Sequence, residues 1–157
     1  MNRLLSLCLV CLLLLSFAAC GVRDDIPVQV IADTVGCKLE GYAHLSPASD
    51  DFIRYCMKSD LSLYEEHLIL YPFSGSAYNE IGLFKLAPDA DREEALSELD
   101  AYLAFRKSNW DMRYSADECV KIEHARVVSC GRYLFFAILS DAERTAAESA
   151  FRTALQK

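Results

Sequence analysis

HLILYPFSGSAYNEIGLFKL, residues 67–86, sets two apolar runs of strand length on either side of a turn. Ile, Leu, Tyr and Phe crowd both runs, and Gly75 with Ser74 and Ser76 supplies turn residues between them. The spacing predicts a β-hairpin beginning near Tyr64. Directly after it, Asp89 is a candidate cap for a long helix over ADREEALSELDAYLAFRKSNW. Leu96, Leu99, Leu103 and Trp110 mark its buried stripe, and acids fill its first turn, where the helix dipole favours negative charge.

The same order returns downstream. ARVVS and YLFFAIL read as two more strands joined around Cys130-Gly131-Arg132, and Ser140 with Glu143 forms a capping box. Ala146, Ala147, Ala150, Phe151, Ala154 and Leu155 then make the apolar face of a last helix. EHLILY…IGLFKLAPDADREEA echoes EHARVV…LFFAILSDAERTAA, with Glu66-His67 opposite Glu123-His124 and Pro88-Asp89-Ala90 opposite Ser140-Asp141-Ala142. The expected fold is therefore α+β: a four-stranded antiparallel sheet from a degenerate ββα repeat (ββαββα), with helices on one face. The other face would be a working surface, or would lie under the elements that come first in the chain.

Two short N-terminal helices are expected there. PVQVIADTV places Val28, Ile31, Ala32 and Val35 on one helix face, with Asp25 as a cap, Pro27 in the first turn and Gly36 at the end. LSPASDDFIRYC offers Ser49 as a second cap, acids at Asp50 and Asp51, and an apolar side of Phe52, Ile53 and Cys56.

Ahead of these, Arg3 is followed by an uncharged, leucine-rich run from Leu4 to Ala19, the pattern of a secretory signal. Phe17-Ala18-Ala19-Cys20 resembles the lipobox of bacterial lipoproteins. That resemblance implies a diacylglycerol on the Cys20 thiol and removal of residues 1–19. Residues 20–25 would then form a short lipid-anchored tether, and residues 26–157 a single domain at the extracytoplasmic face of the cell membrane. Removing Arg3 from the 16 Lys+Arg leaves 15 against 23 Asp+Glu, a net charge of −8 for the mature part. Such an acidic chain without a basic cluster excludes nucleic acid as a partner.

Four cysteines follow the anchor: Cys37, Cys56, Cys119 and Cys130. Four thiols allow three pairings. VKIEHARVVS, between Cys119 and Cys130, reads largely as extended, which would hold that pair far beyond the ~7 Å between Cα atoms that a disulfide spans. The two pairings that cross between these couples, a lone Cys37–Cys56 bridge and four free thiols all remain open.

GSAYNEIGLFKL and VVSCGRYLFFAILSDAE together resemble an uncharacterised family of small bacterial lipoproteins, domain of unknown function 4358. The matching positions are Glu80, Ile81, Gly82 and Phe84, then Gly131, Tyr133, Ser140 and Asp141. The resemblance runs from the signal through about Leu155 and implies a location and a fold, with no activity attached. It departs at Tyr114-Ser115-Ala116, where family members often carry a proline, and at Phe17 and the extra cysteines.

No catalytic motif stands out. His44 reads as a loop residue. His67 and His124, at matching strand starts with Glu66 and Glu123 beside them, would form a zinc site only if the two halves brought them together, and no H-E-x-x-H or C-x-x-C spacing supports that. FSGSA is a turn rather than a nucleophile elbow, and the six glycines form no phosphate loop. No catalytic residue, metal ligand or cofactor is therefore assigned. Aromatic residues suggest a binding patch of Tyr71, Phe73 and Tyr78 on the first hairpin, extended by Arg132 and Tyr133 if the hairpin ends lie side by side. The expectation is a non-enzymatic, lipid-anchored module that binds a protein or small molecule. The alternative is an enzyme or metal-handling protein using His67, His124 or a reactive cysteine.

Overall fold

The computed structural model describes residues 21–72, 79–109 and 116–157. One antiparallel sheet organises them. Its strands are β1 (Leu45–Pro47), β2 (Tyr64–Pro72), β3 (Glu80–Leu86), β4 (Val127–Cys130) and β5 (Tyr133–Ile138), in the order β1-β2-β3-β5-β4. The hairpin predicted from residues 67–86 is β2–β3, with His67 opposite Phe84 and Leu70 opposite Ile81. β3 then pairs with β5, Gly82 facing Phe136.

Four strands were expected and five are present. Leu45–Pro47 adds an edge to β2, pairing Leu45 with Pro72 and Pro47 with Leu70. Three residues containing a proline carry no period-2 signal, so only the exposed edge of β2 could have recruited them.

Helices cover both faces rather than one. α1 (Val28–Gly36) and α4 (Asp141–Ala154) pack on the face formed by Leu70, Ile81, Leu83, Tyr133, Phe135 and Ala137. α2 (Arg92–Ser108), α3 (Ala116–Glu123) and a π-helical turn at Phe52–Met57 cover the face of Ile69, Phe84, Leu86, Leu134, Phe136 and Ile138. Every residue of β3 and β5 is consequently buried. An unbroken apolar run such as YLFFAIL is what a strand buried on both sides requires, because each successive side chain points to the opposite face. The strand–strand–helix order does occur twice, but α2 and α4 lie on opposite faces, so the two halves do not pack as matching units. The two N-terminal elements likewise take opposite faces.

The local signals divide into those the structure keeps and those it moves. Ser140 caps α4 as expected, its hydroxyl accepting from Glu143 N–H; the Glu143 carboxylate turns back to accept from that hydroxyl rather than from the Ser140 backbone N–H. Ser49 accepts from Phe52 N–H at 3.3 Å, as expected for the second N-terminal element, although that element is a π turn closed by Lys58 at φ 58°. The cap of α2 is Asp91, not Asp89; its carboxylate accepts from the N–H groups of Glu93 and Glu94. Asp25 does not cap α1. It pairs with Arg23, and Glu66 of β2 accepts from Val28 N–H at 2.9 Å instead. Leu99 and Leu103 are buried as predicted for α2, joined by Ala95 and Tyr102, while Trp110 lies outside the described residues. The stretch between Cys119 and Cys130 begins as helix α3 rather than strand, which moves His124 from a strand start to the residue after a helix.

Candidate functional site

The π turn and α2 leave a groove between them. Its walls are Cys56, Met57 and Lys58 from the turn and Ser97, Glu98, Ala101, Tyr102 and Phe105 from α2, enclosing about 330 Å³. A π turn widens the backbone by one residue relative to α-helix, and such turns recur at functional sites. Here the widening is fixed from below: Ser59 donates to the Glu98 carboxylate at 2.6 Å and bonds Tyr64 Oη at 3.0 Å, and Asp60 N–H reaches the same carboxylate. Burial pushes the Tyr64 phenol up to about 12, so it stays protonated.

Tyr102 is the floor of the groove and the hub beneath it. Its ring packs 5.8 Å from Phe136 and 6.3 Å from Phe52, and Phe52 stacks on Tyr71 at 5.5 Å. Its hydroxyl donates to Glu80 at 2.7 Å and accepts from Arg106, one turn along α2, at 3.1 Å. Glu80 is 1 % exposed, and its second oxygen lies 2.9 Å from Arg106 Nη1 without an aligned hydrogen bond. Burial raises the Glu80 pKa while the Arg106 charge opposes the rise. Burial, and then the Glu80 charge, also raises Tyr102. Two wider, more open depressions run along α4 beside Lys38, but they lack such a buried polar base.

The predicted patch is divided. Tyr71 lies in β2, half-buried against Phe52, and Phe73 and Tyr78 lie outside the described residues. Arg132 and Tyr133 sit at the opposite end of the sheet, since Tyr133 faces Lys85 whereas Glu80, at the hairpin end, faces Ile138. Antiparallel pairing of β3 with β5 forces this: the turn entering β5 lies beside the end of β3, not its beginning. Tyr133 is fully buried; its hydroxyl accepts from Ile26 N–H at 3.1 Å and donates to Ile26 O at 2.7 Å. Arg132 bonds both oxygens of Asp24 at 3.0 Å, Glu65 at 2.7 Å and the Leu86 carbonyl. Lys85 adds an ion pair with Glu65 at 2.9 Å. Arg132 and Tyr133 thus hold the chain's own segment at Asp24 and Ile26.

Each histidine of the conceivable zinc site ends on its own aspartate, His67 on Asp50 at 3.1 Å and His124 on Asp141 at 2.8 Å. Among the described residues no group of three or more His, Cys, Asp or Glu side chains could hold a metal ion. His44 is exposed in a short 3₁₀ turn. All four cysteines after Cys20 are free thiols; Cys37 and Cys56 are exposed and Cys119 and Cys130 half-buried.

Sequence reasoning missed Lys58, Tyr102, Phe105 and Arg106, and took Glu80 only as a family position. A signal existed: a glutamate inside the apolar run YNEIGLFKL, and a Tyr–Arg pair at helical i, i+4 spacing. Pairing the two needed the tertiary fold. Among the described residues no helix is long and apolar enough to cross a membrane. A family model described as domain of unknown function (DUF4358) matches residues 40–139, from just before β1 to the end of β5. No curated protein and no solved structure matches the chain.

Proposed function

Because this chain belongs to the family described as domain of unknown function (DUF4358), which attaches no activity, we propose a role from its own geometry. The protein is a non-enzymatic binding module, lipid-anchored through Cys20 at the extracytoplasmic face of the membrane. Its ligand is a small apolar molecule with one anionic group, held between the π turn and α2. The observation that supports this is the groove itself: about 330 Å³ is within the range of small-molecule sites, and its lining is mostly apolar. Phe105 remains 51 % exposed on its wall, an aromatic surface that a ligand would cover. Lys58 forms no ion pair among the described residues, whereas Glu98 is taken up by Ser59 and Asp60. The free charge at the rim is therefore positive. Anchoring is supported by Phe17-Ala18-Ala19-Cys20 at the end of an apolar run.

The aromatic sulfonate 1-anilinonaphthalene-8-sulfonate tests the groove. Fluorescence titration is expected to show one saturable site, lost in Ala101→Trp, which fills the cavity, and weakened several-fold in Lys58→Ala. Binding that is unchanged in Ala101→Trp overturns the assignment. Intact mass of the membrane-fraction protein beside Cys20→Ala tests the anchor. Loss of residues 1–19 with a gain of acyl chains is expected, and a soluble, unacylated product refutes it.

A further inference from the structure

Residues 20–25 were expected to be a short tether, but Val22, Arg23, Asp24, Ile26 and Val28 are each fastened to the domain. Val22 forms a β-bridge with Gln156, and Arg23 N–H donates to Leu155 O at 2.8 Å. Asp24 is held by two bonds from Arg132, Ile26 by both atoms of its peptide on Tyr133 Oη, and Val28 N–H by Glu66. Val22 also packs over Gly131, whose φ of 56° suits glycine and where an added Cβ would come within 2.8 Å of the valine side chain. One residue, Gly21, separates this fastened segment from Cys20.

We infer that residues 22–28 are a strap that fixes the domain's orientation on a phospholipid surface, with the turn at Gly131 towards the bilayer and the groove away from it. The inference rests on the lipid-anchor reading. Acyl chains on Cys20 would bring Val22, Gly131 and Gln156 to the headgroups. Arg92, at the start of α2, bonds the Gly131 carbonyl at 2.6 Å, so α2 rises from that same end. Thirteen residues at ~1.5 Å each put Phe105 about 20 Å further along the helix axis. A flexible tether would instead let the domain tumble, and a net charge of −8 would be repelled by any anionic headgroups without choosing an orientation. With the strap closed, a ligand reaches the groove from the aqueous side.

The test uses the full acylated protein in phosphatidylcholine nanodiscs doped with a gadolinium-chelate lipid. Amide relaxation is expected to be enhanced at least tenfold more at Val22, Gly131 and Gln156 than at Lys58 and Phe105. The N–H groups of Arg23, Ile26 and Val28 should exchange with deuterium at least tenfold more slowly than in an unstructured peptide. The double variant Val22→Gly with Asp24→Ala alters only strap residues; it should flatten the relaxation gradient and release the Arg23 amide. An even gradient in the acylated wild type, or a gradient that survives the variant, overturns the strap. If mass analysis shows no acyl chain, the anchor reading falls and the orientation with it, and slow exchange at residues 23, 26 and 28 would then mark the strap as a purely structural contact.

Discussion

Replacing Gly82 by alanine adds a single methyl group at the middle of the sheet, where Gly82 faces Phe136 across β3 and β5. An ideal Cβ there would sit 2.3, 2.6 and 2.8 Å from three ring carbons of Phe136. Carbon atoms in good contact lie roughly 3.5–4.0 Å apart, so ring or strand must shift by about 1 Å. The ring has nowhere to go. Phe136 is fully buried, with Phe84 at 6.2 Å and Tyr102 at 5.8 Å. Overpacking of this kind costs about 1–3 kcal/mol. Urea denaturation should therefore show a midpoint lower by roughly 1 M at an unchanged slope, given slopes of ~1–3 kcal/mol per M for small domains. In a Phe136→Leu background the added methyl meets a smaller side chain, and a double-mutant cycle should return at least ~1 kcal/mol of favourable coupling. Since Tyr102 rests on Phe136, the alanine variant should also weaken sulfonate binding in the groove. A loss below ~0.5 kcal/mol, or zero coupling, would refute this account of the core.

Three further outcomes follow from the same contacts. Tyr133→Phe strips both partners from the buried Ile26 peptide and should cost about 1–3 kcal/mol in chemical denaturation; a neutral result would show that the strap is not held there. Glu80→Gln keeps an acceptor for Tyr102 but removes a carboxyl whose folded pKa is raised above 4.5. A raised folded value means that the carboxyl's contribution to stability is full below its unfolded pKa and is lost as pH rises through the folded one. Wild-type stability relative to the variant should therefore decline as pH climbs above 4.5, and a flat difference would contradict the burial argument. Cys37 and Cys56 should react with a thiol reagent ahead of Cys119 and Cys130 because they are exposed. A bulky adduct on Cys56 should block the groove, and equal reaction rates at all four would sink that ordering.

The strand-length apolar runs of the two hairpins, the cap at Ser140 and the stripe of α1 could be read from sequence because each is set within a few residues of its own position. A strand face or a cap needs only near neighbours. The π turn at Phe52–Met57 was missed in kind though not in place. Its apolar spacing resembles a helix, and its wider form is held by tertiary bonds from Ser59 to Glu98 and Tyr64 and from Asp60 to Glu98. Edge strand β1 depends wholly on the free edge of β2 and carries no signal of its own.

The binding residues divide along the same line. Arg132 and Tyr133 could be singled out as chemically capable, yet antiparallel pairing sent them to the far end of the sheet from Tyr71, and there they grip the chain's own start. Glu80, Tyr102 and Arg106 lie on separate elements that meet only when α2 folds across the sheet. Sequence by itself determined the hairpins, the limits of α1 and the start of α4, the acidic charge and the family. Tertiary structure alone decided that both faces are covered, that the groove lies beside α2, and that the segment after Cys20 is fastened. The physical reason is range: backbone periodicity and capping act over three or four residues, whereas burial of both sheet faces and pairing of a buried carboxylate depend on contacts between residues dozens of positions apart.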